Sequence, residues 1–183
     1  MKKNKKIDEI STSKLKDEIK EMFLKIQEAW NNNSEKDLLH LESSLLYERD
    51  AATMRMYTSM GLKEVRKCVV INYVKPAEYF EFGSKQILKV RIKASMEKYV
   101  YNPMTEEVVS GIREYKETKI HILTLIKEKN KTGHTKTKCI GCGADVNVMS
   151  SGKCEYCGTL FYTKEYDWVV ANIEEIPYER KKY

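Results

Sequence analysis

No window of the 183-residue chain approaches the roughly 18 consecutive apolar residues that a membrane-spanning helix needs. The start, MKKNKKIDEI, is basic but has no apolar region behind the lysines, so no secretory signal is expected in it. Strong charge of one sign is also missing. The net charge is +6 with 33% charged residues, acids and bases being interspersed as on any solvated surface, which is too mild to point to nucleic acid. With 42% hydrophobic and 10% aromatic residues the chain is globular, and it is long enough for one ordinary domain carrying a small accessory module.

Cysteine is scarce but informatively placed. Four of the five cysteines form two CxxC pairs, CIGCG at 139–143 and CEYCG at 154–158, and Cys68 lies far upstream beside an apolar run. That spacing argues against a disulfide framework and for a metal site in a reducing compartment, hence a chain that is cytosolic or faces the cytosol. Cys68 is expected to be a small buried hydrophobe.

From Ser13 to Trp30 the apolar residues Leu15, Ile19, Met22, Phe23, Ile26, Ala29 and Trp30 recur in steps of three and four, one stripe of an amphipathic helix. It stops at Asn31-Asn32-Asn33. Ser34 offers a cap for the next helix, with Asp37 at the third position. Glu35 to Met60 reads as a short helix running into a longer one, with Leu38, Leu41, Leu45, Tyr47, Ala52, Met56 and Met60 available for packing and Gly61 as a left-handed stop.

After Gly61 the period changes to two. In Lys85 to Glu97, Leu88, Val90, Ile92, Ala94 and Met96 alternate with Lys89, Arg91, Lys93, Ser95 and Glu97, as a strand with one dry face requires. Further strands are expected at Val65 to Val74, ending near Pro76, within Ile112 to Lys127, and in Tyr166 to Ile176. Helices followed by about four strands imply an α+β domain with helices on one face of an antiparallel sheet.

The cysteine pairs fall between the third and fourth strands, behind the polar linker KEKNKTGHTKTK, and so form an insertion in a strand connection. In both pairs glycine follows the second cysteine, where positive φ lets backbone amides point at sulfur. Four thiolates in a tetrahedron suit one structural zinc ion and leave no open position for catalysis. Cys139, Cys142, Cys154 and Cys157 are the expected ligands, with eleven residues between the pairs. A rubredoxin-like iron centre, two disulfides and free thiols remain as alternatives. A closed zinc site supplies roughly 10–16 kcal/mol of folding free energy in small modules. His134 is expected to be a linker residue, not a ligand.

The order FLKIQEAWNNNSEKDL, then VVSGIREYKETKIHILTLIKE, then CIGCGADVNVMSSGKCEYCGTLFYTKEYDWVVANIEEI resembles bacterial proteins with a Tim44-like domain in which a four-cysteine zinc ribbon interrupts the last strand connection; the resemblance covers about residues 13–177. It implies helices packed on a curved, cone-like sheet of the nuclear transport factor two superfold around a deep apolar pocket. It also implies peripheral attachment to a membrane surface or to protein partners. With the ribbon, and without the long N-terminal extension of the mitochondrial relatives in the sequence as it stands, an import role is not expected from the resemblance.

The expected organisation is a flexible basic N-terminus at 1–12, a cone domain at 13–130 plus 164–177, a zinc ribbon at 131–163 and a tail at 178–183. The expected function is a noncatalytic binding or scaffold domain. Its pocket would be lined by Phe23, Trp30, Tyr47, Met56, Leu88, Val90 and Ile92, with Met54, Met60 and Met96 nearby, and would accept an acyl chain or an apolar segment of a partner. An enzyme on the same scaffold would need an inward acid or base, for which His40, Tyr47, Asp50 and His121 are candidates although no pair is spaced as a dyad. A nucleic-acid reader would rest on Lys127, Lys129, Lys131, Lys136 and Lys138, yet the ribbon beyond them is neutral to acidic. The same lysines, with Lys2, Lys3, Lys5 and Lys6, could instead touch an anionic membrane surface on the cytoplasmic side.

Overall fold

The computed structural model describes residues 7, 12–129, 137–138, 144–146, 156 and 167–178. Helix α1 (Ser13–Asn32) carries the expected stripe: Leu15, Ile19, Met22, Phe23, Ile26, Ala29 and Trp30 are all buried. Thr12 caps its start by accepting from the Leu15 amide at 3.1 Å, and Asn33, in the left-handed conformation at φ 53°, ends it. Helix α2 (Glu35–Leu38) is a single turn. Ser34 precedes it in an extended conformation but makes no side-chain cap bond, contrary to the sequence expectation; its carbonyl accepts from the Asp37 amide instead. Helix α3 (Ser44–Ser59) is capped by the Ser43 hydroxyl.

The buried face of α3 differs from the expected one. Leu46, Asp50, Ala51 and Met54 face inward, whereas Leu45, Ala52, Met56 and Met60 are exposed. Asp50 holds a position on this buried face that a purely apolar reading does not assign to it. Gly61, at φ 68°, ends the helical region as expected.

Strands β1 (Lys63–Phe82), β2 (Lys85–Tyr101) and β3 (Val108–Glu128) form a meander, and β6 (Val169–Pro177) adds to β3, giving an open antiparallel sheet in the order β1-β2-β3-β6. The helices pack on one face of it: Leu88, Val90, Ile92, Ala94 and Met96 of β2 and Leu123 and Leu125 of β3 join the α1 stripe in one apolar core. Ile7 packs against the same core. Strand β1 runs straight through Pro76, where the sequence suggested an end. Pro76 lies on an edge strand next to a register shift, where a missing N–H costs no ladder bond.

The ladders carry irregularities on both sides of β2. Two β1 residues, Cys68 and Val69, stand opposite Met96 alone in the shift between Lys67 and Val70, and Cys68 has φ 54°. This overturns the expectation for Cys68: as the extra residue of a bulge its thiol is exposed, while Val69 turns toward the core. On the other side of β2, Glu114 has φ 61° and Gly111 has φ 78°. A Cβ at Gly111 would lie 2.4 Å from the Lys98 carbonyl oxygen, so only glycine fits. The buried Glu97 carboxylate accepts from the Glu114 amide at 3.2 Å and meets Lys67 at 3.3 Å, tying the two irregular strands together.

Residues 130–166 connect two strands that pair directly. Ile126 stands opposite Val169 and Lys127 bridges to Asp167 at 2.6 Å, so the segment leaves and re-enters the sheet at one end. Within it, β4 (Thr137–Lys138) pairs with β5 (Asp145–Val146) as a separate short ladder. Cys139, Cys142, Cys154 and Cys157 lie outside the described residues, as does His134.

Candidate functional site

The helix-facing side of the sheet changes character along its length. On β2 the dry alternation from Leu88 to Met96 arrives next at Lys98; on β3 it runs Leu125, Leu123, His121, Lys119, Glu117. The neighbouring strands supply Glu64 and Arg66 opposite Val100 and Lys98, and Glu175 opposite His121. The result is a polar end to the layer between α1 and the sheet.

Arg66 organises it. Its Nε donates to Glu64 at 2.6 Å, its Nη1 to Gln27 of α1 at 3.1 Å, and its guanidinium lies 4.1 Å from the centroid of the Trp30 ring. The Trp30 Nε1–H is buried without a partner among the described residues. Lys98 bridges Glu175 at 2.8 Å and stands 3.9 Å from Glu64, and Lys119 reaches Glu175 at 3.4 Å and Glu117 at 3.0 Å. Despite the burial that disfavours its charge, the Glu175 carboxyl is held down to about 2, chiefly by the charge and hydrogen bond of Lys98.

His121 sits between this cluster and the apolar core. It is 2% exposed, its ring meets Phe23 edge-on at 4.9 Å, and Nδ1 is 4.0 Å from Glu175 Oε1. Neither ring nitrogen has a hydrogen-bond partner among the described residues. Burial pushes its pKa down to about 4, against the opposing pull of Glu175, so the imidazole is neutral at pH 7.

A second buried polar group lies at the seam of α3 and β6. Leu41 and Ser43 bond to the backbone of Val170 on either side of Glu42, at 2.8 Å each. Glu42 is buried with both oxygens unpartnered among the described residues, beside the buried Asp50. Burial first, and the Asp50 charge second, push the Glu42 carboxyl up to about 8. As two carboxylates the pair has no hydrogen to share; with Glu42 protonated, it can donate to Asp50. Asp50 also accepts from Arg49 Nε at 2.9 Å.

Of the residues expected to line a pocket, Phe23, Trp30, Leu88, Val90 and Ile92 are together in the core and Tyr47 packs against it. Met56 is 49% exposed; the buried methionine of α3 is Met54. Of the acid–base candidates, Asp50 and His121 are inward, and His40 borders a surface cavity of about 330 Å³ with Asp37, Glu28 and Lys25. The sequence reading missed Glu42, Glu64, Arg66, Lys98 and Glu175. The signal for Lys98 was present: the β2 alternation places it on the dry side one step after Met96.

A helical layer over an open four-stranded antiparallel sheet, with a charged end to the layer between them, defines an α+β domain. Residues 2–136 match the family model of the Tim44-like domain, and the chain belongs to that family. A search of curated proteins finds no match. Among the described residues no helix is long and apolar enough to cross a membrane.

Proposed function

We propose that this chain is a noncatalytic adaptor whose Tim44-like domain attaches to a protein partner or, peripherally, to the cytoplasmic face of a membrane, and that residues 131–163 form a protrusion folded around one structural zinc ion. The family match over residues 2–136 carries the reading. The packing supports recognition by the outer surface: Phe23, Ile26, Leu88, Ile92, Leu123 and Leu125 are fully buried against one another, so the apolar half of the interior is occupied by the protein's own side chains. An acyl chain would have to displace them.

For the zinc site, the support is the donor set and its setting. Cys139, Cys142, Cys154 and Cys157 supply four thiolates, and the Thr137–Lys138 ladder with Asp145–Val146 brackets the first pair in sequence as the arms of a small hairpin would. Elemental analysis of the purified chain should give one zinc per molecule, and Cys142→Ser should abolish it; iron in place of zinc, or no metal, defeats this part of the reading. Vesicle flotation tests the surface. Binding to vesicles containing anionic lipid but not to neutral ones supports membrane attachment at roughly 1 kcal/mol per engaged lysine. Equal indifference to both directs the adaptor reading to a protein partner.

A second reading, an acid–base enzyme, draws on the unpartnered buried His121. It is weakened by the placement of the acids: Glu175, 4.0 Å from Nδ1, is held by Lys98 and Lys119, and Asp50 belongs to the α3–β6 seam with Glu42 and Arg49.

A further inference from the structure

The surroundings of His121 specify what can bind there. A cavity of about 10 Å³, the space of a single water-sized group, is lined by Met96, Lys98, Glu117, Lys119, His121 and Glu175. Its charges cancel, Lys98 and Lys119 against Glu175 and Glu117, and all four are already engaged in ion pairs. The gap between His121 Nδ1 and Glu175 Oε1 is 4.0 Å, too long for a direct hydrogen bond yet spanned by one oxygen within bonding reach of both. Glu175 cannot close the gap freely, because Lys98 holds one of its oxygens at 2.8 Å and Lys119 the other at 3.4 Å.

We propose that His121 and Glu175 form a subsite for one hydroxyl group, water in the free protein and the hydroxyl of a small neutral ligand when one binds, which accepts from Nδ1–H and donates to the Glu175 carboxylate. The bridging atom must both accept and donate. A carboxylate or other anion cannot donate and is repelled by Glu175; an ammonium cannot accept from the imidazole; an apolar group leaves both partners unmade, at the cost of burying them unsatisfied. The field of the adjacent carboxylate places the single imidazole proton on Nδ1. Entry runs past Lys98 and Lys119, whose side chains are 30% and 26% exposed and whose flexible stems can swing outward. The inference stands independently of the adaptor reading, since it uses neither the zinc segment nor the outer surface.

The test is a titration of the full chain, labelled at histidine, with three probes of matched size: methanol, formate and methylammonium. Methanol should shift the His121 ring signals saturably, and its half-saturation should be at least tenfold lower than that of either ion. Glu175→Leu, at a partly exposed site on an edge strand, should weaken methanol at least fivefold and move the ring proton off Nδ1; His121→Phe should remove the response. Should His121→Phe fail to fold, the Glu175→Leu and ion arms still decide. Formate or methylammonium matching methanol, no saturable shift with any probe, or a direct Nδ1–H to Glu175 coupling in the free protein would each overturn the proposal.

Discussion

The two ends of the layer between α1 and the sheet are built from the same alternation and differ in chemistry. At one end Leu88, Val90, Ile92, Leu123 and Leu125, none with a side-chain polar atom to satisfy, join the α1 stripe in the apolar core. At the other, continuing along the same face of the same strands, the inward positions are Lys98, His121, Lys119 and Glu117, with Arg66 and Glu64 beside them. The period of a strand determines which side a residue faces, but not whether that side is dry. The apolar end supplies stability that does not depend on pH, whereas the polar end and the Glu42–Asp50 seam store theirs in protonation states, and substitutions can separate the two.

The largest effect belongs to the apolar end. Leu88 is fully buried, so Leu88→Ala should cost about 2–5 kcal/mol in urea unfolding, with a cost that stays flat between pH 5 and 8. A pH-dependent cost would mean that the two ends are not energetically separate.

Next comes the seam. The Glu42 carboxyl is raised to about 8 from an ordinary 4.5, so its folded form holds a proton that the unfolded chain has lost; its stabilising contribution is complete below pH 4.5 and disappears as pH rises through 8. Glu42→Gln keeps the neutral shape and removes the titration. It should therefore exceed the wild type in stability at pH 8 by on the order of 4 kcal/mol and match it near pH 4.5. Equal stability of the two proteins at both pH values would show that Glu42 is not buried in the folded state.

His121 and Glu175 give the opposite sign. Both have folded values below their unfolded ones, about 4 against 6.5 and about 2 against 4.5, so their stabilisation is present above the unfolded values and is lost on acidification, from pH 6.5 to 4 for His121 and from 4.5 to 2 for Glu175. Because Glu42 acts in the opposite direction between pH 8 and 4.5, His121 is read in a Glu42→Gln background: there His121→Gln should flatten the stability profile between pH 6.5 and 4, an effect of about 1–3 kcal/mol, and leave the decline below pH 4 to Glu175. Thermal unfolding across pH 2–8 reads both windows.

These differences also mark how far the sequence could be read. Helix α1 and the dry face of β2 were legible because their periodicities are unbroken, and the place of the cysteine segment between the last two strands of the sheet followed from strand order. The face of α3 was not, because Asp50 occupies an inward position that hydrophobicity cannot reveal. Nor was the length of β1, since Pro76 ends a central strand but not an edge strand, or the exposure of Cys68, which depends on a single extra residue in the ladder. Of the buried polar groups, Asp50 and His121 were named as acid–base candidates; the partners of Asp50, Arg49 and Glu42, are near it in sequence, whereas those of His121 come from strands distant in sequence. Glu175 is brought to His121 only by the register of β6 on β3.

The smallest effects lie at the helix starts, where two hydroxyl residues look alike in the sequence and act differently. Thr12 and Ser34 both precede a helix in an extended conformation, but Thr12 accepts from the Leu15 amide at 3.1 Å while Ser34 makes no such bond. The single turn of α2 is too short for a cap to be decisive, and the Ser34 backbone is already fixed from both sides, its amide bonding Ala29 and its carbonyl accepting from Asp37. Thr12→Ala should cost about 1 kcal/mol by loss of a cap on a twenty-residue helix, and Ser34→Ala less than about 0.5 kcal/mol. A Ser34→Ala cost equal to that of Thr12→Ala would mean that the hydroxyl caps α2 in solution, and that the turn after α1 is held by its side chain and not by the backbone bonds that now account for it.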